Sequence, residues 1–192
     1  MTNEFKIVSK EIVYDGFFKM LKYRVKHSLF GGGVCKPYTR ELLERGHAVA
    51  VLLHDPDRDE IVLVEQFRIG AIESDNPWVI ELAAGMVEHG ESSEEVARRE
   101  VEEECGAKIG DLQFVADFYS SVGGSSETTA LYYSVVDANK FDGVHGLGSE
   151  NEDIRVVKMS SDEFVEKVTS NAFRSASLVT AGYWFIATQV KV

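Results

Sequence analysis

Three glutamates, Glu100, Glu103 and Glu104, stand at a spacing that would place their carboxylates along one edge of a helix. Like charges at i, i+3 and i+4 destabilise an isolated helix by about 0.2–0.5 kcal/mol per pair. A hard divalent cation binds carboxylate and carbonyl oxygens and would offset this repulsion. Arg99 precedes Glu103 by four residues and can hold its carboxylate in an ion pair. Taken alone, such a run indicates a solvated acidic helix, so the neighbouring residues have to decide between the two interpretations.

The residues around the glutamates predict a capped helix that follows a glycine loop. Ser92 and Glu95 have the spacing of a capping box, and Gly106 supplies the usual stop. Gly85 and Gly90 bracket a loop that can bend sharply before the helix. Three residues at i, i+4 and i+8 predict the stripe that packs on a sheet: Ala97, Val101 and Cys105. Together these features favour a metal site over a solvated helix.

This segment resembles the Nudix box, G-x5-E-x7-R-E-U-x-E-E-x-G-U, in which U is a bulky aliphatic residue. The fixed positions are filled by Gly85, Glu91, Arg99, Glu100, Val101, Glu103, Glu104 and Gly106. The last position falls on Ala107, which is smaller than the pattern asks for. The resemblance implies an α/β fold, a Nudix-type α/β/α sandwich with a mixed sheet. It also implies hydrolysis of a nucleoside diphosphate linked to another moiety.

The same resemblance assigns roles to the acidic residues. It implies Mg²⁺, or Mn²⁺ in its place, bound by Glu100 and Glu104 with the carbonyl of Ala84 as a further ligand. Glu103 and Arg99 are implied to assist catalysis. The glycine-punctuated acidic loop 145–156 resembles the matching loop of bacterial ADP-ribose pyrophosphatases. That likeness makes Glu150 the candidate general base and Glu152 an additional metal ligand, although the two roles could be exchanged.

The subfamily resemblance covers nearly the whole chain, and it implies a homodimer formed through the N-terminal sheet in which each site uses both subunits. Five residues are thereby implied to bind substrate: Phe17, Arg40, Arg68, Met86 and Glu127. An aromatic ring and a guanidinium plane suit a flat base, which is the role implied for the first two. Phe17 could instead belong only to the dimer core, and Glu127 could have a surface role. Val122 stands where relatives often have proline.

The elements that must position these residues are short and closely connected. Residues 1–45 read as a small antiparallel sheet, with strands at 5–14 and 17–30 and a short polar strand from residue 38. Residues 46–192 read as the Nudix domain. Its predicted strands are 47–53, 61–67, 78–83, 112–119, 129–136 and 154–159. Its predicted helices are 92–105, 162–169 and 175–189.

Composition excludes several classes of protein. The net charge of −12 disfavours nucleic acid as a partner, because such a surface repels phosphate backbones. No run of about eighteen apolar residues exists, so no membrane span is expected. The first fifteen residues lack the apolar stretch of a secretory signal, and the two cysteines have no CxxC spacing. A cytoplasmic address with unpaired thiols is therefore expected.

The leading functional hypothesis, given by the resemblance, is Mg²⁺-dependent hydrolysis of ADP-ribose to AMP and ribose 5-phosphate. Another nucleotide sugar such as GDP-mannose is the alternative within the same class, because the box specifies the chemistry and not the base. A non-catalytic nucleotide-sugar sensor is the alternative from a different class. A plain acidic domain that binds calcium would explain neither Arg99 nor the glycines that frame the helix.

Overall fold

The computed structural model describes residues 3–190 and divides into two compact units. One unit holds the chain up to His47 together with the separate segment Tyr119–Thr128. The other holds Ala48–Phe118 and the chain from Thr129 onward. The segment Tyr119–Thr128 is separated in the sequence from the rest of the first unit by Ala48–Phe118. It therefore belongs to the first unit through tertiary contacts and not through proximity in the sequence.

The first unit is built on a three-stranded antiparallel sheet. Its strands are β1 (Phe5–Asp15), β2 (Lys19–His27) and β3 (Tyr38–Glu44), in the order β1-β2-β3. The small antiparallel sheet expected from the sequence is thus confirmed. The second strand ends earlier than predicted, because the chain turns back beyond it. In that turn the Leu29 N–H donates to the Gly33 carbonyl, and Gly32 and Gly33 take positive φ angles of 92° and 81°.

The second unit is a mixed sheet between helices. Its strands are β4 (His47–Asp55), β5 (Glu60–Phe67), β6 (Trp78–Glu81), β7 (Ala83–Val87), β8 (Gln113–Tyr119), β9 (Thr128–Val135), β10 (Val144–His145) and β11 (Ile154–Ser160). The helices are α1 (Ser93–Cys105), α2 (Ser161–Thr169) and α3 (Ala176–Thr188). None of these helices is long and apolar enough to cross a membrane.

The order of the larger sheet is β10-β11-β5-β4-β9-β8, with β6 paired to β5 and β7 paired to β4. Strands β4 and β9 are parallel, whereas β5 is antiparallel to β4, β6 and β11. The sequence predicted one strand over 78–83, and this was wrong. The structure has two strands there, because the chain leaves β5 and moves to β4 after Leu82.

The two faces of the larger sheet carry separate cores. Alternate residues of β4 face opposite sides, as the period of a strand requires. One face packs against α1 through Val49, Val51, Leu53, Val96, Ala97, Val101 and Cys105. The other packs against α2 and α3 through Ala50, Leu52, Leu63, Phe164, Leu178 and Phe185. These three layers confirm the predicted α/β/α sandwich, and they fix which edge of α1 is turned away from the sheet.

Both predicted ends of α1 are confirmed. The Ser92 hydroxyl accepts from the Glu95 N–H, and the Glu95 carboxylate accepts from the Ser92 N–H, which completes a capping box. Gly106 closes the helix in the left-handed conformation with φ 77°. Because both ends are fixed, the rotation of the acidic residues about the helix axis is fixed as well.

Candidate active site

Glu104 is the most deeply buried acid of the candidate site. It is 2% exposed, and one carboxylate oxygen accepts the Ala84 N–H at 2.9 Å. Burial raises the pKa of Glu104 to about 8, although the Ala84 hydrogen bond and the charge of Arg68 oppose the rise. The neighbouring carboxylates Glu100 and Glu152 add to it. A carboxylate in this environment needs a cation close by if it is to stay ionised at neutral pH.

Glu100 lies one turn earlier on α1, directly against the backbone of β7. A Cβ built on Gly85 would come within 1.9 Å of the Glu100 carboxylate carbon, so only glycine leaves room for it. Burial raises the pKa of Glu100 to about 7, against the influence of Arg99, and Glu103 and Glu152 contribute to the rise. The first glycine of the box therefore gives space to an acid of the helix that follows it.

Arg99 is the centre of three ion pairs. Its Nη1 atom lies 2.9 Å from Glu100 and 3.0 Å from Glu103, and its Nη2 atom lies 3.4 Å from Glu91. The predicted pair between Arg99 and Glu103 is confirmed. Burial of Arg99 opposes its charge, but the three carboxylates hold its pKa above the usual value. Arg99 thus fixes the orientation of the acidic edge without neutralising all of it.

The loop after β10 lies against the C-terminal half of α1. The Gly146 N–H donates to the Glu103 carbonyl at 3.1 Å, and Gly146 has φ 103°. Within the loop, the Glu152 carboxylate accepts the Leu147 N–H at 3.1 Å, and its charge raises the pKa of Glu100 and of Glu104. Glu150 ends a 3-10 turn over Gly148–Glu150 and is exposed. The loop therefore brings Glu152 to the buried acids and leaves Glu150 at the surface.

Arg68 lies just beyond β5 and pairs with a residue that the sequence did not single out. Its Nε atom is 2.6 Å from a carboxylate oxygen of Glu81 in β6. Its charge also lowers the pKa of Glu104, although burial outweighs it. Met86 is half-buried on β7, the strand that also carries Ala84. The short apolar run of β6 could have marked Glu81 only as the polar residue that ends a strand.

The acidic residues fit a hard divalent cation by their chemistry. Oxygen ligands are what Mg²⁺ and Mn²⁺ take, and Glu104 is buried with a single backbone donor for its charge. Within residues 3–190, no group of three or more His, Cys, Asp or Glu side chains is already gathered closely enough to hold a metal ion. Arg99 keeps Glu100 and Glu103 in ion pairs, so the acids would have to converge when an ion binds.

The remaining predicted site residues belong to the first unit. Phe17 is 86% exposed, with its ring packed edge-on against Phe18 at 4.8 Å. The Arg40 guanidinium lies over the Tyr38 ring at 4.5 Å. Glu127 is only 7% exposed, and its carboxylate lies 2.6 Å from Nε of Arg45. Phe17 and Arg40 are thus open to a ligand, whereas Glu127 is already engaged.

The three-layered fold, and the acidic helix that follows the glycine at position 85, indicate one family of proteins. The family model described as NUDIX domain matches residues 44–178 of the chain. The chain belongs to the Nudix family. Members of this family generally use divalent metal ions.

Curated relatives cover most of the chain. An ADP-ribose pyrophosphatase of Escherichia coli (strain K12) is 44% identical over 183 residues, which are 95% of this chain and 88% of that protein. An ADP-ribose pyrophosphatase of Haemophilus influenzae is 45% identical over 157 residues, which are 80% and 72% of the two chains. A GDP-mannose pyrophosphatase of Cronobacter sakazakii is 30% identical over 185 residues, which are 93% of each chain.

Gly85→Ala tests whether the close approach of β7 to Glu100 serves a metal ion. The new methyl group displaces the flexible end of a side chain rather than backbone, so we expect an intact fold and a displaced carboxylate. Calorimetric titration with Mg²⁺ should give an affinity about 10–100-fold weaker than that of the unmodified protein. Gly110→Ala is the matched control, because a Cβ there would meet nothing within 4 Å. Equal Mg²⁺ affinity in the two variants would contradict the assignment of Glu100 as a ligand.

Proposed function

We propose that the protein hydrolyses the pyrophosphate bond of ADP-ribose, giving AMP and ribose 5-phosphate, with Mg²⁺ as the preferred ion. The observation that carries this proposal is the buried acidic edge of α1, where Glu100 and Glu104 have raised pKa values and need a cation. The base and the sugar are taken from the relatives that are 44–45% identical and are named ADP-ribose pyrophosphatases.

Two alternatives are less well supported. A GDP-mannose pyrophosphatase would share the acidic edge, but the relative with that name is 30% identical, against 44% for the ADP-ribose enzyme of Escherichia coli. A non-catalytic sensor could afford to lose the acids of the box. Here all of them are present, and Arg99 holds Glu91, Glu100 and Glu103 in place.

Four oxygen donors would hold the ion: the carboxylates of Glu100, Glu104 and Glu152 and the carbonyl of Ala84. When bound, a divalent ion screens the negative charge of a pyrophosphate and activates a water molecule. The charge of Arg68 acts on Glu104, and its guanidinium fork can bind a phosphate oxygen. Arg99 orients Glu103, and Met86 would contact the ligand from β7.

Glu150 is our candidate for the general base and Glu152 for a metal ligand. The Glu150 carboxylate has no hydrogen-bond or ion-pair partner within residues 3–190, so it is free to accept a proton from water. The Glu152 carboxylate accepts the Leu147 N–H and acts electrostatically on Glu100 and Glu104. These different surroundings favour the assignment of the two roles in this order.

We also propose a homodimer formed through the N-terminal sheet. The sheet exposes large apolar side chains on β1, namely Phe5, Ile7, Val8, Ile12, Val13 and Tyr14. The first unit has nine Lys and Arg against six Asp and Glu, whereas the second has 11 against 26. A basic unit of one copy is therefore complementary in charge to the acidic unit of another. In that dimer Phe17 and Arg40 would bind the adenine of the ligand held by the partner subunit. Glu127 is a weaker candidate for a ligand contact, because it already pairs with Arg45.

The activity is tested with a panel of nucleotide sugars and Mg²⁺, with products separated by chromatography. We expect AMP and ribose 5-phosphate from ADP-ribose, and slower cleavage of GDP-mannose. Glu104→Gln should abolish turnover with the melting temperature retained, because the amide fills the same space without binding an ion. Glu102→Gln, at an exposed position of the same helix, is the matched control and should keep its activity. If ADP-ribose remains intact with the unmodified protein, the proposal is wrong.

Glu150→Gln and Glu152→Gln separate the two roles in the loop. Loss of a general base should lower kcat of Glu150→Gln by about 10²–10⁴ while Mg²⁺ binding is retained. Glu152→Gln should instead weaken Mg²⁺ binding, measured by calorimetry. Should the kinetic effects appear the other way round, the assignments of base and ligand must be exchanged.

The dimer is tested by multi-angle light scattering. We expect twice the mass of the chain for the unmodified protein, and a shift towards monomer for Ile12→Asp, because a charge would enter the apolar interface. Val135→Asp, at a similarly exposed position of the second unit, is the control and should remain a dimer. A monomeric unmodified protein would remove the proposed roles of Phe17 and Arg40 in a shared site.

A further inference from the structure

Gln66 is a polar residue in the interior of the second unit that the functions assigned above do not use. It lies in β5 and is only 5% exposed. Its Nε2 atom is buried and has no hydrogen-bond partner within residues 3–190. Buried side-chain donors are nearly always satisfied, so an unpaired one in a central strand calls for a reason.

The register of β5 shows which face the Gln66 side chain occupies. Val62 and Val64 pack in the core on the α1 side, whereas Ile61 and Leu63 pack on the other side. Side chains alternate along a strand, so Gln66 shares the face of Val62 and Val64. Its neighbour Glu65 points the other way and is bonded to Arg155.

Arg68 continues this alternation beyond the end of β5. Its backbone is extended, with φ −126° and ψ 119°, so its side chain points to the same face as Gln66. Its charge acts on the buried carboxylate of Glu104 on α1. Residues two apart on a strand are separated by about 6–7 Å. The unpaired amide thus lies on the same face as the guanidinium that would bind a phosphate, two residues before it along the chain.

We propose that Gln66 is a substrate-binding residue: its side-chain amide donates to an oxygen of the diphosphate held by Arg68. This inference rests on the proposed function and adds a residue to the same site. The terminal amide of glutamine is a broad two-fold rotor. No hydrogen bond with residues 3–190 holds the amide, so a half turn can present the N–H group to a ligand without breaking any bond.

An unpaired donor predicts opposite effects of one substitution on stability and on binding. Gln66→Met keeps the length of the side chain and removes both polar atoms. Replacing an unsatisfied buried amide by an apolar group should leave the melting temperature unchanged or raise it by about 2–4 °C. Loss of a hydrogen bond to a charged phosphate should weaken the binding of ADP about 10–100-fold.

The experiment measures both quantities on the full chain. Melting is followed without ligand, and the dissociation constant of ADP is measured by calorimetry in the presence of Mg²⁺. Gln113→Met is the matched control, because Gln113 is an exposed glutamine of another strand of the same unit, and neither quantity should change. Gln66→Leu repeats the test with a branched side chain.

Each outcome decides the matter. A stable Gln66→Met protein with weakened ADP binding supports the assignment, even if the unmodified protein cleaves no nucleotide sugar and the proposed function fails. Unchanged ADP binding in Gln66→Met and Gln66→Leu overturns the assignment. A fall in melting temperature in both variants also overturns it, because Gln66 would then be a structural residue whose amide is satisfied in solution.

Discussion

The site depends on one unfavourable interaction, the burial of the Glu104 carboxylate on the inner edge of α1. Water is excluded from this side chain, and the carboxylate instead accepts one hydrogen bond, from the Ala84 backbone N–H. One such hydrogen bond does not offset the desolvation of a charge, which is why the pKa rises to about 8. The capping box, the left-handed Gly106 and the space above Gly85 all serve to hold acids in this position. The fold therefore tolerates the cost of a buried charge at this position, and under the proposed function a bound cation would offset that cost.

Much of the fold could be predicted because its signals are local. The capping box and the apolar stripe of α1 lie within 14 residues, and the apolar run of β4 marks a strand that is buried on both faces. The break between β6 and β7 could not be predicted in this way, because it reflects a change of pairing partner from β5 to β4. The two-residue strand β10 is too short to leave a periodic pattern. The attachment of Tyr119–Thr128 to the first unit is likewise set by distant contacts.

In the candidate site, too, the local contacts could be predicted from the sequence and the contacts between distant segments could not. The spacing of the glutamates and of Arg99 is contained in one helix, so their contacts follow from helical geometry. Glu81 pairs with Arg68, which is 13 residues away in the sequence, and the Gln66 amide lacks a hydrogen-bond partner because of how the surrounding chain is folded. Neither property can be read from the residues next to Glu81 or Gln66 in the sequence. The pair of Arg45 with Glu127 joins residues 82 positions apart, and no local pattern could have shown that Glu127 is engaged. The features of the site that could not be predicted from the sequence therefore depend on the packing of distant segments.

The electrostatics of the second unit explain why an acidic protein can be suited to an anionic ligand. Arg99 faces three carboxylates, so its charge is compensated within the helix and its loop. The charge of Arg68 lowers the pKa of Glu104, and Arg68 also forms an ion pair with Glu81. Neither arginine can balance both the buried acids and a pyrophosphate. Under the proposed function, the remaining positive charge would come from a divalent ion held by the buried acids. In that proposal the surplus of glutamate around α1 contributes to diphosphate binding through the ion, because the ion would form part of the binding surface.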